Sequence, residues 1–259
     1  MFERIFIFEN KKIKGIEKEK KKLENLLKSC GKIVEKKIEN PDLILTMGGD
    51  GTILKVIEFL KNEKTLIYGI NYGKVGFLTN SSENIEGKIK KVLNGSFQIS
   101  ERILLELNVK KENKSIYKCK ALNDFLIFRK GIRIAEIIVI VDENKIFNFR
   151  GDGIIISTPT GSTAHSLSAG GPIISPDNEC FLLTPLCPYT LTTRPLIISS
   201  DKIIKIKILP EGKSIGDGQK EYDINKDSLI EIKKSEIKAK LIIEDNFFEK
   251  LKSKFNFGQ

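Results

Sequence analysis

Three glycines surround one acidic residue in the segment "TMGGDGT" (46–52). Gly48, Gly49 and Gly51 carry no side chain, so a turn built from them can come close to an anion such as a phosphate. Asp50 stands among them with a fixed negative charge, which an anion site alone does not explain. The pattern predicts either a phosphate-binding turn in which Asp50 has a further task, or a tight turn whose Asp accepts hydrogen bonds from backbone amides.

A second segment, "RGDGIIISTPTGSTAHSLSAGGPII" (150–174), is also rich in small and polar residues. It predicts a strand over "GIIIS", a turn, a short helix over "STAHSLSA" (162–169) and a stop at Gly170 and Gly171. The turn and the start of the helix carry five hydroxyl side chains: Ser157, Thr158, Thr160, Ser162 and Thr163. This density is typical of a polar cradle for a nucleotide, with a serine-rich helix cap as the alternative.

The first part of the chain alternates predicted strands and helices. The strands are "RIFIFE", "KIVEKKI", "DLILTM" and "TLIYGIN", and the helices cover residues 15–30 and 52–62. This alternation predicts a parallel sheet with helices on its faces. Because "DLILTM" runs directly into "GGDGT", the glycine turn falls at the carboxyl end of a strand, where open α/β sheets bind ligands. We expect Thr52 to cap the helix that follows.

From about residue 97 to residue 240 the pattern changes to alternating strands. Residues 102–130 predict two strands around a polar turn at Glu112 and Asn113, and residues 134–151 predict a hairpin that turns at "DENK". Further strands are predicted at "KIIKIKIL", "SLIEIKKS" and "KAKLIIED", followed by a short helix and tail over 246–259. The fold class is therefore an α/β domain over 1–96 with a parallel sheet and a β-rich domain over 97–259, whose C-terminal tail can pack back on the first domain.

Composition excludes several classes of protein. The formal charge of +10 can indicate nucleic-acid binding, but the lysines are spread along the chain and no nucleic-acid motif is present. No apolar run approaches the ~18 residues of a membrane span, and the N-terminus does not resemble a signal peptide. Four scattered cysteines are typical of a reduced, cytoplasmic protein, and a single histidine argues against a His/Cys metal cluster. We expect no nucleic-acid partner and no membrane.

These motifs resemble a known family. "GGDGT" by itself resembles a superfamily that includes phosphofructokinases, diacylglycerol and sphingosine kinases, and NAD kinases. "DGIIISTPTGSTAHSLSAGGPI" is similar, almost residue for residue, to the long signature of the NAD kinases. Four shorter segments also resemble that family in the expected order: "GKVGFLT" (73–79), "LNDFLI" (122–127), "TTRPLIIS" (192–199) and "GDG" (216–218). The resemblance implies a two-domain NAD kinase with its site between the domains, which transfers phosphate from ATP to the 2′-hydroxyl of the adenosine ribose of NAD⁺ to give NADP⁺.

The resemblance also implies roles for individual residues. Asp50 faces the ribose 2′-hydroxyl, Asn123 and Asp124 hold the nucleoside, and Asp217 lies near the nicotinamide half. Residues implied to bind NAD are Asp50, Gly51, Phe77, Asn123, Asp124, Arg150, Asp152, Thr163, Ala164, His165, Ser168 and Asp217. Those implied to form the phosphate and ATP loop are Gly48, Gly49, Gly51 and Thr52. The family shares its site between subunits, which implies a homo-oligomer, a dimer or a tetramer, with Asp152 and His165 serving a neighbouring subunit's ligand.

Within this resemblance, Asp50 acquires a chemical role. A sugar hydroxyl is a poor nucleophile at neutral pH, and a carboxylate within hydrogen-bond reach can orient it and accept its proton. Mg²⁺, or another divalent metal that accompanies ATP, would offset repulsion between Asp50 and the triphosphate. The sequence leaves open whether Asp50 acts as the base or positions this metal. It predicts no direct cluster of protein ligands for the metal.

His165 departs from the family, which usually has Tyr after "STA". Three interpretations stay open: a surface on which adenine stacks, a structural helix residue, and a catalytic base. Arg150, just before the second motif, favours NAD⁺ over NADH by resemblance.

Three other functions compete with the kinase at this stage. They are a lipid kinase that shares "GGDGT", a non-catalytic NAD(P)-binding regulator and a basic nucleic-acid binder. The second signature disfavours the lipid kinase, and the presence of Asp50, Asn123 and Asp124 disfavours the regulator.

Overall fold

A computed structural model of the chain describes residues 2–74 and 76–256. These residues form two compact units, Met1–Glu101 with Ile237–Gln259, and Arg102–Glu236. Val75 within "GKVGFLT" and the last three residues of the predicted C-terminal tail lie outside the described residues. No helix within the described ranges is long and apolar enough to cross a lipid bilayer.

The described residues contain strands and helices that we number in chain order. The strands are β1 (Arg4–Glu9), β2 (Ile33–Glu35), β3 (Leu43–Met47), β4 (Leu66–Asn71), β5 (Asn80–Ser81), β6 (Gln98–Arg102), β7 (Leu105–Lys111), β8 (Lys114–Ala121), β9 (Asp124–Arg129), β10 (Ala135–Val141), β11 (Asn144–Gly151), β12 (Gly153–Ser157), β13 (Cys180–Leu186), β14 (Leu196–Ser199), β15 (Ile204–Leu209), β16 (Gly212–Gly216), β17 (Lys220–Ile224), β18 (Ser228–Lys234) and β19 (Ala239–Ile243). The α-helices are α1 (Ile16–Ser29), α2 (Asp50–Ile57), α3 (Ile85–Leu93), α4 (His165–Ser168) and α5 (Phe247–Phe255).

The first unit is built on one sheet of order β2-β1-β3-β4-β19-β6, with β5 beside β4. Strands β1, β3 and β4 pair in parallel, and β19 also pairs in parallel with β4. Every residue of β3 and β4 is buried, as expected for central strands covered on both faces. This confirms the α/β class and brings the carboxyl ends of β3 and β4 to one edge of the sheet.

Helix α1 shows why the first unit has a core. Its sequence alternates Glu and Lys, but Ile16, Leu23 and Leu27 fall on one face and are buried against the sheet. The predicted helix over residues 15–30 is therefore confirmed. Helix α3 was not predicted, although its buried Ile89, Val92 and Leu93 show the same helical spacing.

The predicted helix over 52–62 has different bounds in the structure. Helix α2 begins at Asp50, with Gly49 as the N-cap residue, and ends at Ile57. After Ile57 the amides of Phe59 and Leu60 bond to carbonyls only three residues back, and these tight turns end the helix.

The second unit consists of two antiparallel sheets with one core. Their strand orders are β11-β10-β15-β18-β7-β8 and β14-β13-β12-β9-β16-β17. Apolar residues from both sheets form a single buried cluster, which includes Leu107 and Val139 from one sheet and Phe125, Ile154 and Phe181 from the other. The β-rich class predicted for this part of the chain is confirmed.

The two predicted hairpins of the second unit turn at residues with positive φ. Glu112 and Asn113 between β7 and β8 both have positive φ, as do Asp142 and Glu143 between β10 and β11, so both predicted turns are confirmed. The prediction of two strands over residues 102–130 was wrong, because the structure has three strands there, β7, β8 and β9. The chain breaks at Leu122 and Asn123 and starts a third strand, β9, because the amides at this break bond to a distant side chain rather than to a strand.

Candidate active site

The glycine turn joins the end of β3 to the start of α2, so Asp50 is the first helical residue at the carboxyl end of a central strand. A Cβ on Gly48 would lie 2.2 Å from Thr52 Oγ1 and 3.1 Å from Asn10 Cβ, so only glycine fits there. The expectation that Thr52 caps the helix was wrong. Thr52 lies inside the first turn with its amide bonded to the Gly49 carbonyl at 2.8 Å, since the helix starts two residues earlier than predicted.

The carboxylate of Asp50 is held by residues of a different segment. The Phe77 amide donates to Oδ2 at 2.7 Å, while the Leu78 amide and the Thr79 hydroxyl donate to Oδ1 at 3.2 and 2.9 Å. A carboxylate has about four lone-pair positions, so these three bonds leave one acceptor position. The backbone amides that donate to Asp50 belong to residues 77 and 78 and not to the glycine turn that contains Asp50. Asp50 is thus fixed in orientation and can still accept a bond from a hydroxyl.

Gly76 makes this arrangement sterically possible. A Cβ on Gly76 would lie 1.8 Å from Asp50 Oδ1, so any larger residue would displace the loop or the carboxylate. The Gly76 amide also donates to Thr79 Oγ1 at 3.0 Å, which aligns the hydroxyl that reaches Asp50. Sequence reasoning assigned no role to Gly76 or Thr79, although both lie in the family-like segment "GKVGFLT".

Phe77 is packed by helix α5. Its ring centroid lies 6.2 Å from that of Phe247 and 5.7 Å from that of Phe255, and Lys254 Nζ lies 5.5 Å from the centroid. The side chain is half-buried by these contacts. Its contact with a nucleotide stays a prediction.

In the second unit, Asp217 organises the turn that carries Asn123 and Asp124. Its carboxylate accepts bonds from three successive amides, those of Leu122 (2.8 Å), Asn123 (2.7 Å) and Asp124 (3.2 Å), and its own amide donates to the Asp124 carbonyl at 3.0 Å. Asp217 sits at the β16–β17 turn with φ of 51°. Burial raises the pKa of Asp217 to about 7, and nearby Asp124 acts in the same direction, whereas the amide bonds lower it.

His165 contacts the buried acid of this turn. Its Nδ1 lies 3.2 and 3.3 Å from the two carboxylate oxygens of Asp124, whose side chain is 1% exposed, while the His165 side chain is 59% exposed. The hydrogen bond to Asp124 raises the pKa of His165 above 6.5. The structure therefore brings four of the implied site residues together: Asn123, Asp124, His165 and Asp217.

The helix predicted over 162–169 was wrong in form. Thr160–Thr163 is a 3₁₀ turn, the chain breaks at Ala164, and α4 covers only His165–Ser168. The cause is Ser162, whose hydroxyl accepts from the Ile174 amide at 2.7 Å and donates to the Ile174 carbonyl at 3.2 Å. Thr163 and Ala164 are half-buried beside this break.

The hydroxyls of the second motif mainly bond to protein. The hydroxyl of Thr158 donates to the Leu122 carbonyl at 2.6 Å and that of Ser157 to the Asn123 carbonyl at 3.2 Å. Gly161 lies so close that a Cβ would be 2.1 Å from the Asn123 carbonyl oxygen. The N-cap residues of the 3₁₀ turn and of α4 have no side-chain cap, although Thr158 Oγ1 accepts from the Gly161 amide at 3.2 Å. The hydroxyls of Ser157 and Thr158 also bind the motif to the turn of Asn123.

His165 and Ser168 line a cavity of about 480 Å³ in the second unit. Its other lining is mostly apolar, with Leu126, Ile155, Pro185 and Leu186. A flat ring fits such a surface. Ser168 is exposed at the end of α4.

Arg150 and Asp152 lie elsewhere in the second unit. Arg150 is exposed on β11, opposite Glu136 of β10. The Nε of Arg129 lies 2.6 Å from Asp152 Oδ1, and this bond lowers the pKa of Asp152. Within the described residues, no hydrogen bond or ion pair joins Arg150 or Asp152 to His165, Asp124 or Asp217.

One buried arginine near the second motif escaped sequence reasoning. Arg102 is 6% exposed, and its Nη1 lies 3.4 Å from Thr160 Oγ1. Burial lowers its pKa to about 10. The sequence signal for this buried residue was an arginine beside the apolar residues of "RILLEL" (102–107). Among the described residues, no group of three or more His, Cys, Asp or Glu side chains could hold a metal ion.

Comparisons with known proteins agree with this geometry. Residues 5–97 match the ATP-NAD kinase N-terminal domain, and residues 122–243 match the ATP-NAD kinase C-terminal domain. The chain is 40% identical over 223 residues to the NAD kinase of Methanothermobacter thermautotrophicus, which covers 84% of this chain and 77% of that protein.

Two further proteins extend the comparison. The bifunctional NADP phosphatase/NAD kinase of Methanocaldococcus jannaschii is 41% identical over 212 residues, but the match covers 80% of this chain and only 37% of that longer protein. The crystal structure of an NAD kinase from Archaeoglobus fulgidus in complex with ATP superposes with a TM-score of 0.81 at 30% identity, covering 96% of this chain and 97% of that one.

The α/β unit that carries Asp50 at its glycine turn and the two-sheet β unit thus correspond to the two matched domains of an ATP-dependent kinase. Within that class, the two domain matches and the relatives place this chain: it belongs to the NAD kinase family.

Proposed function

We propose that this protein is an NAD kinase that transfers the γ-phosphoryl group of ATP to the 2′-hydroxyl of the adenosine ribose of NAD⁺, giving NADP⁺ and ADP. The observation that carries the proposal is the Asp50 carboxylate, fixed by three donors at the carboxyl end of β3 with one acceptor position left. The relatives named NAD kinase and the ATP complex of the Archaeoglobus fulgidus protein support both substrates.

In this reaction Asp50 orients the ribose hydroxyl and accepts its proton as the new P–O bond forms, and ADP leaves. The turn of Gly48, Gly49 and Gly51 faces the phosphates of ATP, with the start of α2 beneath it. No covalent enzyme intermediate is needed, because positioning and charge stabilisation supply most of the catalysis in phosphoryl transfer.

The second unit binds the dinucleotide. Asn123 and Asp124 hold the nucleoside, and the mostly apolar cavity beside His165 and Ser168 takes a ring. Thr163 and Ala164 line the same end of the nucleotide site. Arg150 favours NAD⁺ over NADH in this proposal, and Asp152 serves the ligand of a neighbouring subunit.

Mg²⁺ enters as part of the ATP substrate. This ion is usually held by one or two carboxylates together with substrate phosphates and waters. Because the one free acceptor position of Asp50 goes to the ribose hydroxyl in this proposal, the metal would be bound mainly through ATP and water. We further propose that the enzyme is a cytoplasmic homo-oligomer.

A coupled assay tests the function. Purified protein is incubated with NAD⁺ or NADH, crossed with ATP or polyphosphate, and NADP(H) is measured with a dehydrogenase specific for it. We expect Mg²⁺-dependent formation of NADP⁺ from NAD⁺ and ATP. NAD⁺ binding without turnover would instead support a regulator, and transfer to diacylglycerol in place of NAD⁺ would support a lipid kinase.

A further inference from the structure

A buried lysine of helix α5 reaches the loop that holds Asp50. Lys250 is 5% exposed, and its ammonium donates to the Thr79 carbonyl at 3.0 Å and to the Phe77 carbonyl at 3.2 Å. A buried charge is costly unless it is hydrogen-bonded. Two of the hydrogen bonds that offset this cost go to the backbone of residues 77–79.

The same backbone faces Asp50 on its other side. The peptide unit between Phe77 and Leu78 accepts from Lys250 through its carbonyl and donates to Asp50 Oδ1 through its N–H. Thr79 likewise accepts from Lys250 with its carbonyl and donates to Asp50 with its hydroxyl. Groups placed between a cation and an anion are polarised in the same direction, which strengthens both bonds.

Helix α5 is held in place on both sides of Lys250. Its N-terminus has a capping box between Asn246 and Glu249. Phe247 and Phe255, one near each end of the helix, pack on the Phe77 ring. The helix therefore holds the Phe77 side chain while Lys250 holds the Phe77 carbonyl.

We infer that Lys250 is a positioning residue for phosphoryl transfer: from helix α5 it holds the loop 77–79 so that the loop's N–H and hydroxyl donors fix the Asp50 carboxylate. Lys250 touches no reacting atom in this scheme. The inference rests on the proposed function, because it assigns Lys250 to the chemistry of Asp50.

The test compares Lys250→Met with Lys252→Met, which removes an exposed lysine of the same helix. We expect Lys250→Met to lower kcat by about 10- to 100-fold, since misplacing a catalytic group by ~1 Å costs about 100-fold. The KM for NAD⁺ should change less than threefold, and Lys252→Met should match wild type. Lys250→Gln, which keeps one donor, should show a smaller loss and replaces Lys250→Met if that variant does not fold.

Two further measurements separate positioning from general destabilisation. In the Asp50→Asn background, Lys250→Met should lower kcat by less than threefold, because the group that it positions is already gone. The amides of Phe77 and Leu78 should exchange with solvent faster in Lys250→Met than in Lys252→Met, while amides of β9 in the second unit stay unchanged.

The inference fails if folded Lys250→Met keeps wild-type kcat, or if its loss of kcat is the same in the wild-type and Asp50→Asn backgrounds. Neither result would contradict the proposed function, which depends on whether the wild-type protein makes NADP⁺ and whether Asp50→Asn makes it about 10²–10⁴-fold more slowly. If wild type itself makes no NADP⁺, the proposed function fails first and the exchange rates of Phe77 and Leu78 alone test the contact.

Discussion

At the scale of single residues, Asp50 and His165 show how one neighbour sets the task of a side chain. Asp50 lies in a glycine turn, but its hydrogen-bond donors come from residues 77–79, and they leave one acceptor position for a further bond. The His165 side chain is largely exposed, but its Nδ1 contacts the buried carboxylate of Asp124. That contact adds a fourth interpretation, a charge partner of Asp124, to the three that the sequence left open.

We predict that Asp50→Asn lowers kcat by about 10²–10⁴-fold, the usual cost of losing a general base, while NAD⁺ still binds. Steady-state kinetics and calorimetry check the two halves of this prediction. The matched control is Asp42→Asn, at the opposite end of β3, where the carboxylate also accepts backbone amides, from Glu3 and Arg4. A variant of Asp50 within threefold of wild type would remove this residue from the chemistry.

His165 is the only histidine of the chain, so its ring protons can be followed by NMR without assignment. We predict that the pKa of His165 is raised above its ordinary value. Asp124→Asn should lower it again, because the hydrogen bond to Asp124 is the largest cause of the rise. Since the folded pKa is raised, the pair stabilises the fold below the unfolded pKa, and this contribution is lost as pH rises through the folded pKa.

The midpoint of thermal unfolding checks that sign. The difference between wild type and His165→Gln should be larger at pH 6 than at pH 9. A difference that grows with pH would contradict the pairing of His165 with Asp124.

At the scale of elements, residues 76–79 are part of the loop between β4 and β5, and they determine the orientation of Asp50 at the start of α2. We predict that Gly76→Ala lowers kcat by about 100-fold, because the added methyl would overlap Asp50 Oδ1 and displace the loop by an ångström or more. Gly73→Ala is the control in the same loop, since its Cβ would meet Asn71 Oδ1 at an ordinary 3.6 Å. Equal activity of the two variants in steady-state assays would show that the loop adapts without cost.

At the scale of the whole molecule, residues from both ends of the chain share one sheet. Strand β19 pairs with β4 through Leu241 and Ile67, so the first unit is complete only after the second unit has been synthesised. We predict that Leu241→Ala, at a site 1% exposed, destabilises the first unit by about 2–5 kcal/mol through the cavity it leaves.

Hydrogen exchange resolved by residue is the appropriate measurement. Amides of β4 should exchange faster in Leu241→Ala, while those of β9 and β12, in the separate core of the second unit, keep their rates. Ile33→Ala, at a site 51% exposed in the same sheet, is the control and should have little effect. Equal acceleration in both units would show that the two cores unfold together.

Sequence alone determined what depends on near neighbours along the chain. Apolar runs predicted β1, β3, β4 and β12, the spacing of Leu23 and Leu27 predicted α1, and turn residues such as Glu112 and Asn113 predicted the hairpins. The placement of Asp50 at the end of β3 followed from the strand that runs into the glycine turn. These features are local because backbone geometry repeats every two or 3.6 residues.

Tertiary structure alone decided which groups hold the site. The amide that orients Asp50 is 27 residues away, the carboxylate that arranges Asn123 is 94 residues away, and the carbonyl that Lys250 binds is 171 residues away. The break at Ala164 likewise lies beside a bond to a partner outside the local pattern, that of Ser162 with Ile174. Periodicity carries no information about such pairs, because a hydrogen bond depends on where the folded chain brings two polar groups and not on their spacing in sequence.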